Sequence, residues 1–201
     1  MRLRLIVCLT ALLVVFAAPA WALHEGEFAL APQAGMVTTS GVPGGLFAAD
    51  FGYGAGFGYG ITDIFGVELD LLYSEHEELD EDETGELKLT HFFGGIGPRV
   101  NWNTQYVVPY LALLGAVSFL RYQADWEIGK NSFDDQQDAH AFGGALAGGL
   151  DVYVADGFTV GLAGRAGFLG SNLTYKHRDT DDGDAGAFGY FAGLLRLTLL
   201  F

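Results

Sequence analysis

From residue 27 to residue 201 the chain runs largely in a rhythm of two. The clearest stretch is 50–61, where Phe51, Tyr53, Ala55, Phe57, Tyr59 and Ile61 share one parity and Gly52, Gly54, Gly56, Gly58 and Gly60 the other. Successive strand residues point to opposite sides, so this pattern predicts a strand with one apolar face and one nearly bare face. The last stretch, 187–201, has the same form. Ala187, Gly189, Phe191, Gly193, Leu195, Leu197, Leu199 and Phe201 share a face, and Phe188, Tyr190, Ala192, Leu194, Arg196, Thr198 and Leu200 share the other. A helix would set Arg196 among leucines on every side. The same rhythm predicts eight strands, at about 27–37, 50–61, 65–74, 87–100, 107–122, 140–154, 158–175 and 187–201.

Most strands declare their faces. In the third, Phe65, Val67, Leu69, Leu71 and Tyr73 read as outward, with Gly66, Glu68, Asp70, Leu72 and Ser74 inward. Leu111, Leu113, Val117 and Phe119 read as outward in the fifth. In the sixth, Phe142, Leu146, Leu150, Val152 and Val154 read as outward, with Asp151 and Tyr153 inward. In the seventh, Phe158, Val160, Leu162, Ala166 and Phe168 read as outward, with Thr159, Gly161, Ala163, Arg165 and Gly167 inward. Pro32 sits awkwardly in the first strand, because it cannot donate to a ladder. The fourth resists: Leu87, Leu89 and Phe93 share parity with His91 and Arg99, which predicts a register change near Gly94 and Gly95. The five inward glycines of strand two suit a narrow enclosure crowded from the opposite side.

Residues 1–22 read as a secretory leader, not as part of the fold. Arg2 and Arg4 give a basic start, 5–18 is apolar, and Ala20-Trp21-Ala22 offers a small-residue cleavage site, with a cut after Ala20 as the alternative. The single cysteine, Cys8, leaves with the leader, so no disulfide or thiolate chemistry is expected. Beyond the leader no run reaches the ~18 uninterrupted apolar residues of a membrane helix. The nearest, 107–120, contains Pro109 and Ser118. An apolar chain without a spanning helix enters a bilayer as a closed barrel. The predicted fold class is therefore all-β, an eight-stranded antiparallel up-and-down transmembrane β-barrel over 23–201. Short connections (62–63, 101–105, 155–157) alternate with long ones (38–48, 75–86, 124–139, 176–186), and an even strand count puts both ends on one side.

Charge sharpens this picture. With Arg2 and Arg4 removed, eight of the ten basic residues and all 25 acidic ones remain, a net charge of −17. That sets nucleic acid aside as a partner, since phosphate binding needs a basic surface. Such acidity often means disorder, but the sequence is also 50% hydrophobic and 14% aromatic. The two fit together when acids and apolar segments are segregated, as the long acidic connections show.

The inward charges Glu68, Asp70, Asp151, Arg165 and Arg196 fall near mid-membrane. An arginine facing lipid there costs ~2–4 kcal/mol, and buried charges need partners. An interior network is therefore expected. It would form a plug that seals and orders the barrel, with a gated pore on the same pairs as the alternative. Phe65, Trp102, Tyr106, Phe158 and Phe201 near one rim, and Tyr73, Tyr122, Trp126 and Tyr175 near the other, are expected to anchor at the interfaces.

The order of these pieces (Pro109-Tyr110-Leu111 leading a strand, 149–153 as GLDVY before a tight turn, a strand ending on Phe201) resembles small outer-membrane β-barrels, of the OmpA-transmembrane-domain and OmpX type. The resemblance spans essentially the whole chain after the leader. It implies a monomer in the outer membrane of a Gram-negative bacterium, without the periplasmic peptidoglycan-binding domain that some relatives carry. It also implies that Leu195, Leu197, Leu199 and Phe201 form the signal read by the barrel-assembly machinery. Long connections would then be extracellular. Lys88, Arg121, Lys176 and Arg178, at outer strand ends, would meet lipopolysaccharide phosphates or serve only rim solubility. The acidic connections read as a solvated surface; 179–184 lacks EF-hand spacing, and no metal or cofactor is called for. Of the histidines His24, His76, His91, His140 and His177, none forms a local His–Ser arrangement of the lipid A deacylase kind. The expected role is non-enzymatic: membrane integrity or surface interaction, the latter with a ligand held by the extracellular loops. A narrow channel and a lipid A-modifying enzyme are the alternatives.

Overall fold

The computed structural model describes residues 23–42, 45–46, 49–79, 85–102, 104, 106–128, 131–171, 173–177 and 180–201, with backbone only for the described residues within 41–48, 78–87, 124–135 and 172–185. Eight long strands make up the body: β1 Phe28–Val42, β2 Asp50–Gly60, β3 Phe65–Leu79, β4 Gly85–Asn101, β5 Val107–Ile128, β6 Asn131–Ala155, β7 Phe158–Ser171 and β8 Phe188–Leu200. Each pairs antiparallel with its neighbour in sequence, and β8 pairs with β1 from Ala29↔Leu200 to Ser40↔Gly189, so the sheet closes on itself. The ends meet where Phe28 and Phe201 exchange two backbone hydrogen bonds of 2.9 and 3.0 Å. This is the closed eight-stranded antiparallel barrel that the alternation predicts.

The apolar parity faces out. Phe51, Tyr53, Leu113, Leu146, Leu162, Phe168, Leu195 and Phe201 are all exposed, whereas Gly52, Gly56, Gly58, Glu68, Asp70, Arg165 and Arg196 are buried. In water an exposed apolar belt of this size would be an aggregation liability; against acyl chains it is the expected outer surface. Pro32 is accommodated on the outward parity of β1, opposite Ala55. Narrow residues inside make room for wide ones. A Cβ at Gly56 would stand 3.2 Å from Arg196 Nη2, and one at Gly167 would overlap the Tyr190 ring.

Three expectations are corrected. First, β4 has no register change: its pairing with β3 runs in one register from Phe65↔Val100 to Leu79↔Glu86. The odd parity of β4 points inward from Leu89 on, so Leu89, His91, Phe93 and Arg99 are all lumen residues. Second, Tyr122 is not at the outer interface but inside, in the apolar cluster with Leu120 and Phe93. Trp126 and Tyr175 lie outside the described side chains. Third, the long connection 124–139 is mostly paired strand. The β5–β6 ladder is continuous from Val107↔Val152 to Ile128↔Asn131, roughly twice the ~10 residues needed to cross a bilayer.

That extra length is one-sided. Pairing of β2 with β3 reaches only to Gly52↔Ser74, and that of β7 with β6 only to Ser171↔Ala141. β3, β4, β5 and β6 continue past that level, with β3–β4 pairs to Leu79↔Glu86 and β4–β5 pairs to Gly85↔Trp126. The barrel thus carries a raised four-stranded sheet on one side of its outer rim. The opposite mouth is covered by residues 23–26. Leu23 is buried there, Gly26 N donates to Gly60 O at 2.8 Å, and His24 Nδ1 lies 2.9 Å from Asp63 Oδ1. The His24 ring beside Asp63 holds that carboxyl below its ordinary value, chiefly through the hydrogen bond.

Candidate functional site

The lower half of the lumen is built on Glu68 of β3. Its Oε1 accepts from Arg196 Nη1 at 2.8 Å, and its Oε2 accepts from Arg99 Nη1 at 2.9 Å. Arg99 also donates from Nη2 to Asp151 Oδ2 at 3.3 Å and from Nε to Asn101 Oδ1 at 2.6 Å. Tyr110 lies between the two arginines. Its hydroxyl accepts from Arg196 Nη1 at 3.0 Å, and its ring centroid is 3.8 Å from Arg99 Cζ and 5.1 Å from Arg196 Cζ. Such stacking counts for more when the cation has left water.

A second group joins three strands. Asp70 Oδ2 meets Arg165 Nε at 2.5 Å. Gln33 of β1 bridges them, donating from Nε2 to Asp70 Oδ1 at 2.7 Å and accepting from Arg165 Nη2 at 2.7 Å. The positions follow from strand parity. Glu68 and Asp70 are two residues apart on β3, so both point inward, and Gln33 sits opposite Arg196 in the β1–β8 ladder.

All five charged residues singled out from sequence thus lie in one lumen. Sequence reasoning missed Arg99, and with it the charge balance among the described residues: three arginines, Arg99, Arg165 and Arg196, against three carboxylates, Glu68, Asp70 and Asp151. Two arginines against three acids would leave one buried carboxylate unmatched, and that excess was the available clue to a third cation.

Leu195, Leu197, Leu199 and Phe201 all face outward along β8, and Phe201 stacks on Phe28 with ring centroids 6.3 Å apart. Lys88 and Arg121 are at the outer rim but already carry acids. Lys88 Nζ lies 3.0 Å from Glu77 Oε1 and 3.7 Å from Glu75 Oε2, and Arg121 grips Asp138 with Nε and Nη2 at 2.8 and 3.4 Å. The Arg121 hydrogen bond lowers the Asp138 carboxyl. Between these pairs lies an outward-facing groove of about 540 Å³ floored by Phe92 and Phe119. Lys176 and Arg178 fall outside the described side chains, as does the leader.

An apolar exterior around a charge-neutral, side-chain-filled lumen defines an integral outer-membrane barrel. The chain belongs to the outer membrane protein beta-barrel domain family, whose model matches residues 8–194. Among solved structures it is similar to Ail, the attachment invasion locus protein of Yersinia pestis, at 14% identity with a TM-score of 0.56, covering 88% of this chain and 99% of that one. Ail in complex with the heparin analogue sucrose octasulfate matches at 15% identity and TM-score 0.53, with the same coverage. Neisserial surface protein A matches at 16% identity and TM-score 0.46, covering 86% of this chain and 99% of that chain. At these identities the likeness is one of fold. No curated protein sequence matches significantly. The family places the chain in the bacterial outer membrane.

Proposed function

We propose that the protein is a monomeric, non-enzymatic surface protein whose barrel anchors a recognition sheet outside the cell. The observation that carries this is the continuation of β3, β4, β5 and β6 above their neighbours. A barrel that served only to occupy membrane would have no need of paired strand of that length. In the raised part, the outer edge of β3 (Glu75–Leu79) and that of β6 (131–140) have no barrel-strand partner among the described residues. Exposed edges are sites of partner addition unless guarded by charge, and these stretches, EHEEL and NSFDDQQDAH, are acidic. The ligand they suit is a basic, extended segment. Sucrose octasulfate, found with Ail, is a polyanion that this rim would repel.

Residues 1–22 serve as the cleaved leader, and the outward Leu195, Leu197, Leu199 and Phe201 present the strand to the assembly machinery. Lys88 and Arg121 border the groove at the height of lipid phosphates and exchange their carboxylates for lipopolysaccharide. The lumen supports an anchor over a conduit, because the arginine pairs span it from β3 and β4 to β6, β7 and β8. The serine and histidine side chains above them are wholly enclosed, away from any lipid substrate.

The test is a binding assay on vesicles holding the refolded chain. A cationic peptide binds, heparin does not, and shortening the β5–β6 hairpin by removing 122–137 abolishes binding while leaving a heat-modifiable barrel. Retained binding after that deletion would refute the raised sheet as the working surface. Separately, Lys88→Gln with Arg121→Gln is expected to reduce lipopolysaccharide co-purifying with the barrel. Phosphate assay of the purified protein measures it, and an unchanged content would assign these residues to rim solubility alone.

A further inference from the structure

The outer wall below the raised sheet carries a shelf that interfacial anchoring alone does not account for. Tyr53, Tyr73, Phe92, Phe119 and His140 are successive cross-strand partners from β2 to β6, all on the outward parity. Ring centroids are 5.3 Å apart for Tyr53 and Tyr73, 6.3 Å for Phe92 and Phe119, and 5.1 Å for Phe119 and His140. One outward step nearer the rim, Glu75, Thr90, Arg121 and Asp138 form the next cross-strand row, and Glu77 and Lys88 face each other above it. Charge of both signs thus stands directly over an aromatic floor, with the groove of about 540 Å³ between them. Among the described side chains the outward faces of β7, β8 and β1 carry no charge. An ordinary interfacial belt rings the whole barrel, whereas this one is charged on a single flank. The strands behind the shelf are fixed from inside. Ser118 Oγ of β5 is 3.0 Å from His91 Nε2 of β4, and Ser74 Oγ of β3 lies 3.5 Å from His91 Nδ1 and 3.0 Å from His76 Nε2.

We propose that this groove is a binding site for a lipid phosphate that carries an ethanolamine, presented by lipopolysaccharide. The proposal rests on the reading of Lys88 and Arg121 as lipopolysaccharide contacts, and it names the headgroup that they select. From β3 to β6 the wall runs acid, base, base, acid: Glu75 and Glu77, then Lys88, then Arg121, then Asp138. Each cation already holds a carboxylate. A bare phosphate reaches the cations only by taking them from those acids, which then stand unmatched beside its own charge. A zwitterion avoids this. Its phosphate takes the centre, where Lys88 offers a point charge and Arg121 a fork with more N–H donors than Asp138 engages. Thr90, opposite Arg121 and two residues from Lys88, adds a hydroxyl there. The ammonium replaces the withdrawn cation at Glu75 on one flank or Asp138 on the other, each beside an aromatic face. Ion pairs are exchanged rather than lost. The Tyr73 hydroxyl donates to Glu75 Oε1 and ties that carboxylate to the shelf. The first methylenes of the lipid lie on Phe92 and Phe119.

The test titrates the full-length chain, refolded in detergent micelles, with lipopolysaccharide whose phosphates do or do not carry ethanolamine. The modified form is expected to bind about fivefold tighter, the worth of an ion pair at an exposed rim, with the gap closing as salt rises. Glu75→Gln, Glu77→Gln and Asp138→Asn together are expected to abolish that preference, and Lys88→Gln with Arg121→Gln to weaken binding of both forms. Equal affinity of the wild type for the two forms overturns the inference alone, provided that the Lys88 and Arg121 substitutions still weaken binding. Binding indifferent to Lys88 and Arg121 overturns the reading of those residues as phosphate contacts, and the inference with it. A preference that survives loss of the three acids also overturns the inference. Should a variant not fold, competition on the wild type decides. Glycerophosphoethanolamine is expected to displace bound lipopolysaccharide at a lower concentration than glycerol phosphate, and displacement by both at the same concentration overturns the site.

Discussion

Glu68→Ala is expected to destabilise the barrel by about 3–5 kcal/mol, as breaking one member of a buried ionic group does. Glu68 holds one arginine on each oxygen, at 2.8 and 2.9 Å, and is itself fully buried. Without it Arg196 keeps the Tyr110 hydroxyl, while Arg99 keeps Asp151 and Asn101. Two cations would then face each other across Tyr110 with one acid between them. Denaturant unfolding of the barrel in vesicles, extrapolated linearly, measures the loss. Adding Arg196→Met restores charge parity, so the double variant should lose less than the sum of the two single changes. A loss below about 1 kcal/mol, ordinary for a solvated pair, would mean that the lumen is wet and weakly coupled.

Leu162→Arg is expected to cost about 2–4 kcal/mol in a bilayer, the range for arginine at the midplane of a lipid face. Leu162 is 66% exposed on the outside of β7, while Arg165, three residues later and on the opposite parity, is 4% exposed. The same residue type is thus tolerated or penalised on one strand according to the side it takes. Vesicle unfolding of the variant against wild type measures this. A change within experimental error would mean that the exterior is not lipid-facing, and the transmembrane assignment would fall with it.

How far the sequence foretells the molecule depends on whether the two sides of a strand differ in chemistry. In β2, β7 and β8 they differ sharply, aromatic or leucine against glycine, arginine or threonine, and the faces could be read directly. In β4 they do not. Its lumen parity mixes Leu89 and Phe93 with His91 and Arg99, because the outer half of the lumen packs apolar side chains around a histidine–serine chain while the inner half is ionic. Hydropathy cannot tell an inward leucine from an outward one, so the pattern points to a register change that does not exist and leaves Arg99 out of the network. Tyr122 shares the inward parity of Leu114, Ser118 and Leu120, and only its aromatic character points to the rim. The hairpin extensions were hidden for a different reason. Above the membrane neither face meets lipid, alternation vanishes, and paired strand looks like any polar connection. The histidine–serine chain was invisible because its members come from three strands, and only the registers Ser74↔His91 and His91↔Leu120 bring them together.

The junction of β1 with β8 has a bearing on biogenesis. It joins the start and end of the described chain, with Phe28 and Phe201 hydrogen-bonded to each other, so the ring has no local route to completion. Until the last stave arrives, both flanking strands expose peptide groups that a hydrocarbon interior cannot solvate. An open edge is thus costly in hydrocarbon, which couples closure of the ring to its insertion.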